Sequence, residues 1–148
     1  MRILLQRVSR ASVTVGGDLV SEIGPGLLLL VGVGRDDAFG DYDRMAEKVF
    51  NLRVFEDGAG RMNHSLSDAG GEILVVPQFT LYGDVRKGRR PSWDGAAPPE
   101  VARDRIEAFA GALEARGATV RRGAFREHMR VELVNDGPVT LWIDSAEL

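Results

Sequence analysis

The spacing of hydrophobic and polar positions changes several times along the chain, and each change predicts a different element. Residues 2–15 are rich in β-branched side chains and stop at Gly16-Gly17, a pair that tolerates the positive φ of a tight turn. The run 27–33 is almost wholly apolar, which is typical of a strand buried on both faces. We therefore predict a first hairpin followed by a central strand.

Two segments carry a helical period instead. From Asp41 to Leu52, apolar residues recur three or four positions apart after an acidic stretch that favours a helix start. A second such segment opens at Pro98-Pro99 and closes at Gly117, a residue that commonly ends helices. These patterns predict two main helices, one in the first half of the chain and one in the second.

Shorter apolar runs predict the remaining strands. One lies around residues 54–55, and another spans residues 72–76 and ends at Pro77. The segment 119–144 alternates apolar and polar residues on either side of Asn135-Asp136-Gly137, and this combination is a strong signal for a hairpin. The total is about seven strands.

The order of these elements indicates the fold class. Strands and helices do not alternate as βαβαβ, so a doubly wound sheet is not expected. The segment 83–99 is rich in Gly, Pro and basic residues and predicts a long surface loop. With no repeat and no linker, residues 1–148 are predicted to form one β-rich α+β domain.

Composition removes several classes of function. The chain is 44% hydrophobic and 28% charged, the balance of an ordinary globular protein. It contains no cysteine, which excludes a disulfide scaffold, a thiol nucleophile and a Cys-based metal site. No apolar run approaches the roughly eighteen residues that a membrane-spanning helix needs, and no targeting segment is visible. We expect a cytoplasmic protein with no membrane partner.

The charge balance is uneven along the chain. Nineteen Lys and Arg against 22 Asp and Glu give a net charge of −3, so no general attraction to nucleic acid is expected. Four positive charges nevertheless fall within five residues, and further arginines lie in the segment 121–130. The cluster, called the basic loop below, consists of Arg86, Lys87, Arg89 and Arg90. It fits either a solvated loop or a surface that contacts phosphates.

Familiar catalytic arrangements are absent from the sequence. Neither His64 nor His128 stands in a metal-ligating pair, no spacing of carboxylates completes a metal site, and no Gly-x-Ser-x-Gly elbow is present. We therefore predict no metal and no cofactor. The hydroxyl of Thr80 is one candidate nucleophile, but no adjacent base is evident to activate it.

Two segments remain as candidates for chemistry. Residues 77–81 leave a buried strand and present an amide, an aromatic ring and a hydroxyl in succession, although a strand end packed on the core fits them equally well. In Asn135-Asp136-Gly137-Pro138, the proline lacks a backbone N–H and has a fixed φ, so the carbonyl of Gly137 is held rigidly. Base rates alone favour a trans Gly137-Pro138 bond.

Six segments together resemble the D-aminoacyl-tRNA deacylase family. They are QRVSRASV (6–13), IGPGLL (23–28), NLRVF (51–55), QFTLY (78–82), RKGRRP (86–91) and NDGPVT (135–140). The resemblance covers nearly the whole chain. It implies a homodimer of barrel-like subunits, with a cross-subunit active site, that hydrolyses the ester of D-aminoacyl-tRNA at the acceptor end. It also implies activity on glycine mischarged on alanine tRNA.

The resemblance also implies roles for individual residues. Gln78, Phe79 and Thr80 would be the catalytic residues, with the Phe79 amide facing the ester carbonyl. Gly137 and Pro138 would enter the partner subunit's cleft as a cis pair whose carbonyls exclude an L side chain. The other implied substrate-binding residues are Arg7, which would brace that pair, Pro77, and Phe125 and Met129 against the terminal adenine. The basic loop would bind tRNA.

The sequence departs from the family pattern at two places. Pro77 stands where the family usually has Ser, and Arg126-Glu127 replaces a usual Gly-Ala pair. Pro77 leaves open a deacylase of relaxed chirality that acts on small L-aminoacyl-tRNA. Two other classes also stay open: a non-catalytic module that binds RNA ends, and a hydrolase of small nucleoside esters. Without an activated nucleophile, hydrolysis would rely on positioning, backbone donors and the neighbouring 2′-hydroxyl of the substrate.

Overall fold

The long first strand organises the sheet. In the computed structural model, which describes residues 1–148, β1 (Arg2–Val15) pairs antiparallel with three other strands. The first half of one edge pairs with β3 (Gly26–Gly32) and the second half with β2 (Asp18–Ile23). The other edge pairs from end to end with β8 (Met129–Asp144). This one strand therefore joins both sides of the sheet.

Beyond β3 the sheet continues in parallel. The strand β6 (Glu72–Pro77) lies parallel to β3, and β7 (Thr119–Arg122) lies parallel to β6. The Ser21 hydroxyl of β2 donates to the Arg122 carbonyl of β7 at 2.7 Å, a contact that joins two strands distant in the sheet order. The sheet thereby curls into a nearly closed barrel.

Three α-helices and a small ribbon complete the α+β fold. The helices are α1 (Asp41–Asn51), α2 (Leu66–Ala69) and α3 (Pro99–Ala115). The ribbon consists of β4 (Phe55–Glu56) and β5 (Met62–His64). Two 3-10 turns span Phe79–Tyr82 and Ser145–Glu147. The two predicted main helices are confirmed to within two residues at each end, and the structure adds a third, one-turn helix and an eighth strand.

Both faces of β3 are buried, as its apolar run predicts. Leu27 and Leu29 belong to a large core that also contains Phe109 of α3 and Val49 of α1, whereas Leu28 belongs to a smaller core inside the barrel. The alternation of side chains along a strand sends neighbours to opposite faces, so one strand serves two cores. The sequence shows no polar alternation here because neither face meets solvent.

The predicted hairpin at Asn135-Asp136-Gly137 is wrong. The chain does not reverse there, because Asn135 pairs with Val8 and Thr140 pairs with Gln6 in the same antiparallel direction. Residues 136–139 instead loop out of β8, opposite Arg7, and are called the bulge below. The residue types that favour a tight turn also favour such an excursion, and β1 is long enough to pair with both halves of β8.

A buried arginine holds the bulge in place. Arg7 is only 5% exposed, and its Nη1 donates to the Val54 carbonyl at 2.6 Å. Its Nε donates to the Asp136 carbonyl at 3.1 Å and lies 3.2 Å from the Asp136 carboxylate. The Asn135 side chain donates to the Arg7 carbonyl at 2.9 Å. These contacts tie the bulge to the chain just before β4.

We expect the Arg7→Ala variant to lose about 1–3 kcal/mol of unfolding free energy, because the substitution leaves the buried Val54 carbonyl without its donor and removes the hydrogen bond to the Asp136 carbonyl. Arg10→Ala is the matched control, since the same strand carries Arg10 in an exposed pair with Glu132 at 3.3 Å, which is worth less than about 1 kcal/mol. Urea denaturation of both variants measures the difference. Equal losses would contradict the anchoring role of Arg7.

Candidate active site

The residues that the sequence singled out at 77–80 lie where β6 leaves the sheet. The Gln78 N–H donates to the Val31 carbonyl at 2.8 Å, and the chain then winds into the 3-10 turn Phe79–Tyr82. Amides in the first turn of a helix have no partner within that helix. The N–H groups of Phe79 and Thr80 stand at this position, so the turn supplies backbone donors beside an open surface.

A cavity of about 930 Å³, called the main pocket below, opens beside this turn. Its walls come from the ends of β3 and β6, from the start of α3, and from the loop between β7 and β8. The lining is mostly apolar and includes Val33, Pro77, Phe79, Trp93, Ala97, Ile106, Phe125, Met129 and Val131. Gln78 and Thr80 bring polar side chains to the same pocket. An apolar cavity with a few polar groups is the usual form of a small-molecule site.

Thr80 and five other predicted site residues therefore line one cavity, although they come from distant parts of the sequence. The other five are Pro77, Gln78, Phe79, Phe125 and Met129. The Gln78 amide donates to the Thr80 hydroxyl, which fixes both side chains relative to each other. No His or carboxylate side chain forms a hydrogen bond with Thr80, so its hydroxyl has no base beside it.

Trp93 is a wall of the pocket that the sequence analysis missed. Its ring meets the exposed ring of Phe79 edge to face, with centroids 5.4 Å apart. The Trp93 ring fits against Gly83, where a Cβ would lie 2.7 Å from it. The sequence did contain one signal for this contact, because Trp93 is the single aromatic residue of the Gly-rich and Pro-rich loop 83–99.

Charged groups support the 3-10 turn from below. The Arg2 guanidinium donates to the Leu81 carbonyl at 3.1 Å and lies 4.4 Å from the centre of the Tyr82 ring. The Tyr82 hydroxyl donates to Asp37, which also binds the Met1 ammonium at 2.6 Å. Burial and the neighbouring charge of Asp37 raise the pKa of Tyr82 well above its usual range. The phenol therefore stays protonated and keeps donating, which holds the turn in place.

Phe125 and Met129 close the pocket from the opposite side. The Met129 sulfur accepts a hydrogen bond from the Ala124 N–H at 3.3 Å. The Arg103 guanidinium covers the Phe125 ring, 5.0 Å from its centre. Gly123 leaves space for these groups, since a Cβ there would lie 3.0 Å from the Met129 sulfur. The end of β7 and the start of β8 thus bring a thioether and an aromatic ring to one wall.

Three other predicted site residues lie elsewhere in the chain. Gly137 and Pro138 are exposed at the bulge, and Arg7 is buried beneath them. The Gly137-Pro138 peptide bond is cis. None of the three lines the main pocket of its own chain. The predicted residues therefore form three groups: one at the main pocket, one at the bulge with Arg7 beneath it, and the basic loop.

The basic loop is exposed, but not all of its positive charges are free to bind a partner. Arg86 forms an ion pair with Asp84 at 2.6 Å, and the hydrogen bonds from Arg86 lower the pKa of Asp84 to about 2. Lys87, Arg89 and Arg90 form no ion pair within the chain. The positive charge open to a partner is therefore that of these three side chains.

Arginines after α3 are also partly neutralised. Arg121 lies 3.7 Å from Glu72, and Arg122 pairs with both Glu107 and Glu114. Both belong to the further arginines of the segment 121–130 that add to the basic charge of the sequence. Their pairing reduces the positive charge that this segment offers to a phosphate.

Several residues at the rim of the pocket were not predicted as site residues. They are Arg35, Arg126, Glu127 and His128. No three His, Asp or Glu side chains converge on a point where they could bind a metal ion. None of the helices is long and apolar enough to cross a membrane.

Comparison with known proteins adds to this geometry. The sequence profile of the family described as D-Tyr-tRNA(Tyr) deacylase matches residues 4–144. A D-aminoacyl-tRNA deacylase of Thermomicrobium roseum is 62% identical over 148 residues, which cover 100% of this chain and 96% of that protein. A D-aminoacyl-tRNA deacylase of Symbiobacterium thermophilum is 57% identical over 145 residues, covering 98% of this chain and 96% of the relative.

Two solved structures have the same fold. One, titled c-Myc DNA Unwinding Element Binding Protein, superposes with a TM-score of 0.90 at 41% identity and covers 97% of this chain and 98% of its own. The other is titled as a probable eukaryotic D-amino acid tRNA deacylase and superposes with a TM-score of 0.78 over 96% of this chain and 97% of its own. At 19% identity, the second likeness concerns the fold alone.

Proposed function

Because the chain belongs to the D-Tyr-tRNA(Tyr) deacylase family, an enzyme family, we propose that its main pocket hydrolyses the ester between a D-amino acid and the 3′ end of tRNA. The observation that carries this proposal is the turn Gln78-Phe79-Thr80, which presents backbone donors to an apolar pocket of about 930 Å³. Such donors stabilise the negative charge that develops on an ester oxygen during hydrolysis.

The proposed reaction needs no covalent intermediate. The N–H of Phe79 binds the ester carbonyl, water attacks the carbonyl carbon, and the bond to the ribose oxygen breaks. That ribose oxygen takes up a proton, and the products are a free D-amino acid and tRNA. Thr80 receives a hydrogen bond from Gln78 and has no base beside it, which supports a positioning role over a nucleophilic one. The 2′-hydroxyl of the terminal ribose would orient the water.

The terminal adenine is proposed to bind between Phe125 and Met129. Both side chains line the main pocket, and an aromatic ring beside a polarisable sulfur gives a base a stacking surface. The adenosine would thus lie on one wall and the ester on the opposite wall, beside Phe79. Because stacking depends on the π face of the base, this site alone gives little sequence discrimination.

A second subunit is proposed to complete the site. The strand β8 pairs on one edge only, and it leaves Val134, Leu141 and Trp142 between 37% and 48% exposed. An open strand edge beside apolar side chains favours association with another copy. The bulge lies on this same strand and away from its own pocket. In a homodimer, Gly137 and Pro138 would therefore enter the pocket of the partner subunit.

The bulge offers a physical basis for chiral selection. Main-chain oxygens of Gly137 and Pro138 beside the α-carbon would leave no room for an L side chain, whereas a D side chain points elsewhere. Glycine lacks a side chain and would pass this filter, so glycine mischarged on alanine tRNA is also a proposed substrate. Pro77 borders the pocket where the family usually has Ser, and a relaxed preference for small L-amino acids is the competing outcome.

The first test is turnover of three substrates, D-Tyr-tRNA, L-Tyr-tRNA and glycine on alanine tRNA. We expect D-Tyr and Gly to be released at least about a hundredfold faster than L-Tyr, a difference of about 2.7 kcal/mol in activation free energy. Release of the labelled amino acid measures the rates. Equal release of D-Tyr and L-Tyr would contradict chiral exclusion, and binding without release of any amino acid would indicate an RNA-end binding module.

The second test separates the dimer from the pocket. We expect Leu141→Glu to shift the protein to monomers and to lower turnover of D-Tyr-tRNA at least tenfold, because a buried charge opposes the interface. Leu19→Glu is the control, since it adds the same charge on β2 rather than β8, at a leucine that is 56% exposed against 37% for Leu141. Sedimentation velocity gives the oligomeric state. A fully active monomer would overturn the cross-subunit site.

The third test concerns the basic loop. Replacing both Arg89 and Arg90 by Ala is expected to weaken binding of many aminoacyl-tRNAs about equally and to flatten the dependence of log Kd on log salt by about 1.5, because two phosphate contacts are lost. Arg86→Ala should have a smaller effect on both quantities, since Asp84 already neutralises Arg86. Unchanged affinity and slope in the double variant would remove the basic loop from the tRNA surface.

A further inference from the structure

A second cavity, of about 300 Å³, shares a wall with the main pocket and is called the side pocket below. Pro77, Ile106 and Phe125 line both cavities, so the Phe125 ring stands between them. The volume of the side pocket lies at the lower end of the range of small-molecule sites, about 300–1,000 Å³. A ligand in the main pocket that stacks against Phe125 would therefore have this second space directly beside it.

The side pocket carries charged groups that the proposed mechanism does not use. They are Arg103 and Glu107 from α3 and Arg122 at the end of β7. The Glu107 carboxylate binds the Nε of Arg122 at 3.0 Å through one oxygen, Oε2. Arg103 forms no ion pair and lies over the Phe125 ring instead. The wall thus presents hydrogen-bond acceptors beside guanidinium donors and an aromatic face.

Neutralisation of Arg122 does not explain the presence of Glu107. A second carboxylate, Glu114, already binds Arg122 through both oxygens, at 2.8 and 3.1 Å. These hydrogen bonds raise the pKa of Arg122 and lower that of Glu114, as expected of a stable ion pair. Glu107 faces the side pocket, whereas Glu114 does not line it. One carboxylate therefore holds the arginine while the other keeps an acceptor oxygen open to a ligand.

We propose that the side pocket is the binding site for the cytidine that precedes the terminal adenosine of tRNA. This inference rests on the proposed function, which places the adenine against Phe125 in the main pocket. Every mature tRNA ends in cytidine, cytidine and adenosine, so the nucleotide next to that adenine is always cytidine. The neighbour of a base bound on one side of Phe125 would reach the space on the other side.

The charged wall matches the pairing edge of cytosine. That edge has an amino donor beside two acceptors, so a carboxylate beside a guanidinium is its complement. Glu107 would accept a hydrogen bond from the cytosine amino group. Arg103 or Arg122 of the same wall would donate to the ring nitrogen and the carbonyl of cytosine. Uracil has a carbonyl in place of the amino group, and that oxygen would face the Glu107 carboxylate. The Phe125 ring and the Arg103 guanidinium provide the planes against which unpaired bases stack.

Short esters test the subsite apart from the rest of tRNA. D-tyrosyl esters of adenosine, of the dinucleotide CpA and of UpA are compared by kcat/KM with the intact protein. We expect CpA to exceed UpA about tenfold, because only cytosine donates to Glu107. In Glu107→Gln the side-chain amide can rotate to donate to uracil, so the preference should fall within about twofold. Glu114→Gln, which changes the other partner of Arg122, should keep the preference for cytidine.

The outcomes separate this subsite from the proposed function. Equal kcat/KM for CpA and UpA in the intact protein would overturn the cytidine site, even if both exceeded the adenosine ester, because the advantage would then come from the phosphate. A preference that survives in Glu107→Gln, or is lost equally in Glu114→Gln, would overturn the role of Glu107. Failure to hydrolyse all three esters and D-Tyr-tRNA would overturn the proposed function itself.

Discussion

The antiparallel pairing of β1 with β8 on both sides of the bulge is the constraint on which the rest of the molecule depends. The pairing runs from Arg2 opposite Asp144 to Val15 opposite Met129. One end of this strand pair brings Met129 to the main pocket, and the other end brings Arg2 beneath the 3-10 turn. The bulge interrupts the pair in the middle. Three separate functional elements thereby receive fixed positions from one set of backbone hydrogen bonds.

The chemistry proposed for the site relies on backbone groups and shape more than on reactive side chains. An aminoacyl ester is already activated, so the protein needs to bind the carbonyl oxygen and to place water, both of which backbone amides and an ordered pocket can do. In this proposal, the nearby charged and hydrogen-bonding side chains position the site and do not touch the reacting atoms. Arg2, Tyr82 and Asp37 hold the turn, and Arg7 holds the bulge.

Much of the fold could be predicted from the sequence because its signals are local. The apolar run of β3 and the periods of α1 and α3 arise from burial along a single element, and the structure reproduces them. The bulge could not be predicted, because Asn135-Asp136-Gly137 has the same residue types as a hairpin turn. Whether such a segment reverses the chain depends on the length of its partner strand, which lies more than a hundred residues earlier.

The candidate site also contains residues that the sequence could predict and residues that it could not. Residues 78–80 stood out through a motif, and Phe125 and Met129 were implied only by the family resemblance. Trp93 and His128 reach the main pocket through the paths of their loops. The ion pair of Arg86 with Asp84 and the double pairing of Arg122 were also hidden, because residue counts do not show which charges are already neutralised.

The β1–β8 pairing also has a consequence for how the chain acquires its structure. Strands that meet across such a sequence separation form slowly, since a long loop must close before the contacts can stabilise it. During synthesis, β1 can pair early with β2 and β3, but its other edge waits for β8 to emerge. A nascent chain therefore exposes one long strand edge of unpaired N–H and C=O groups until β8 has emerged, and this interval is when capture by a chaperone or a neighbouring chain matters most.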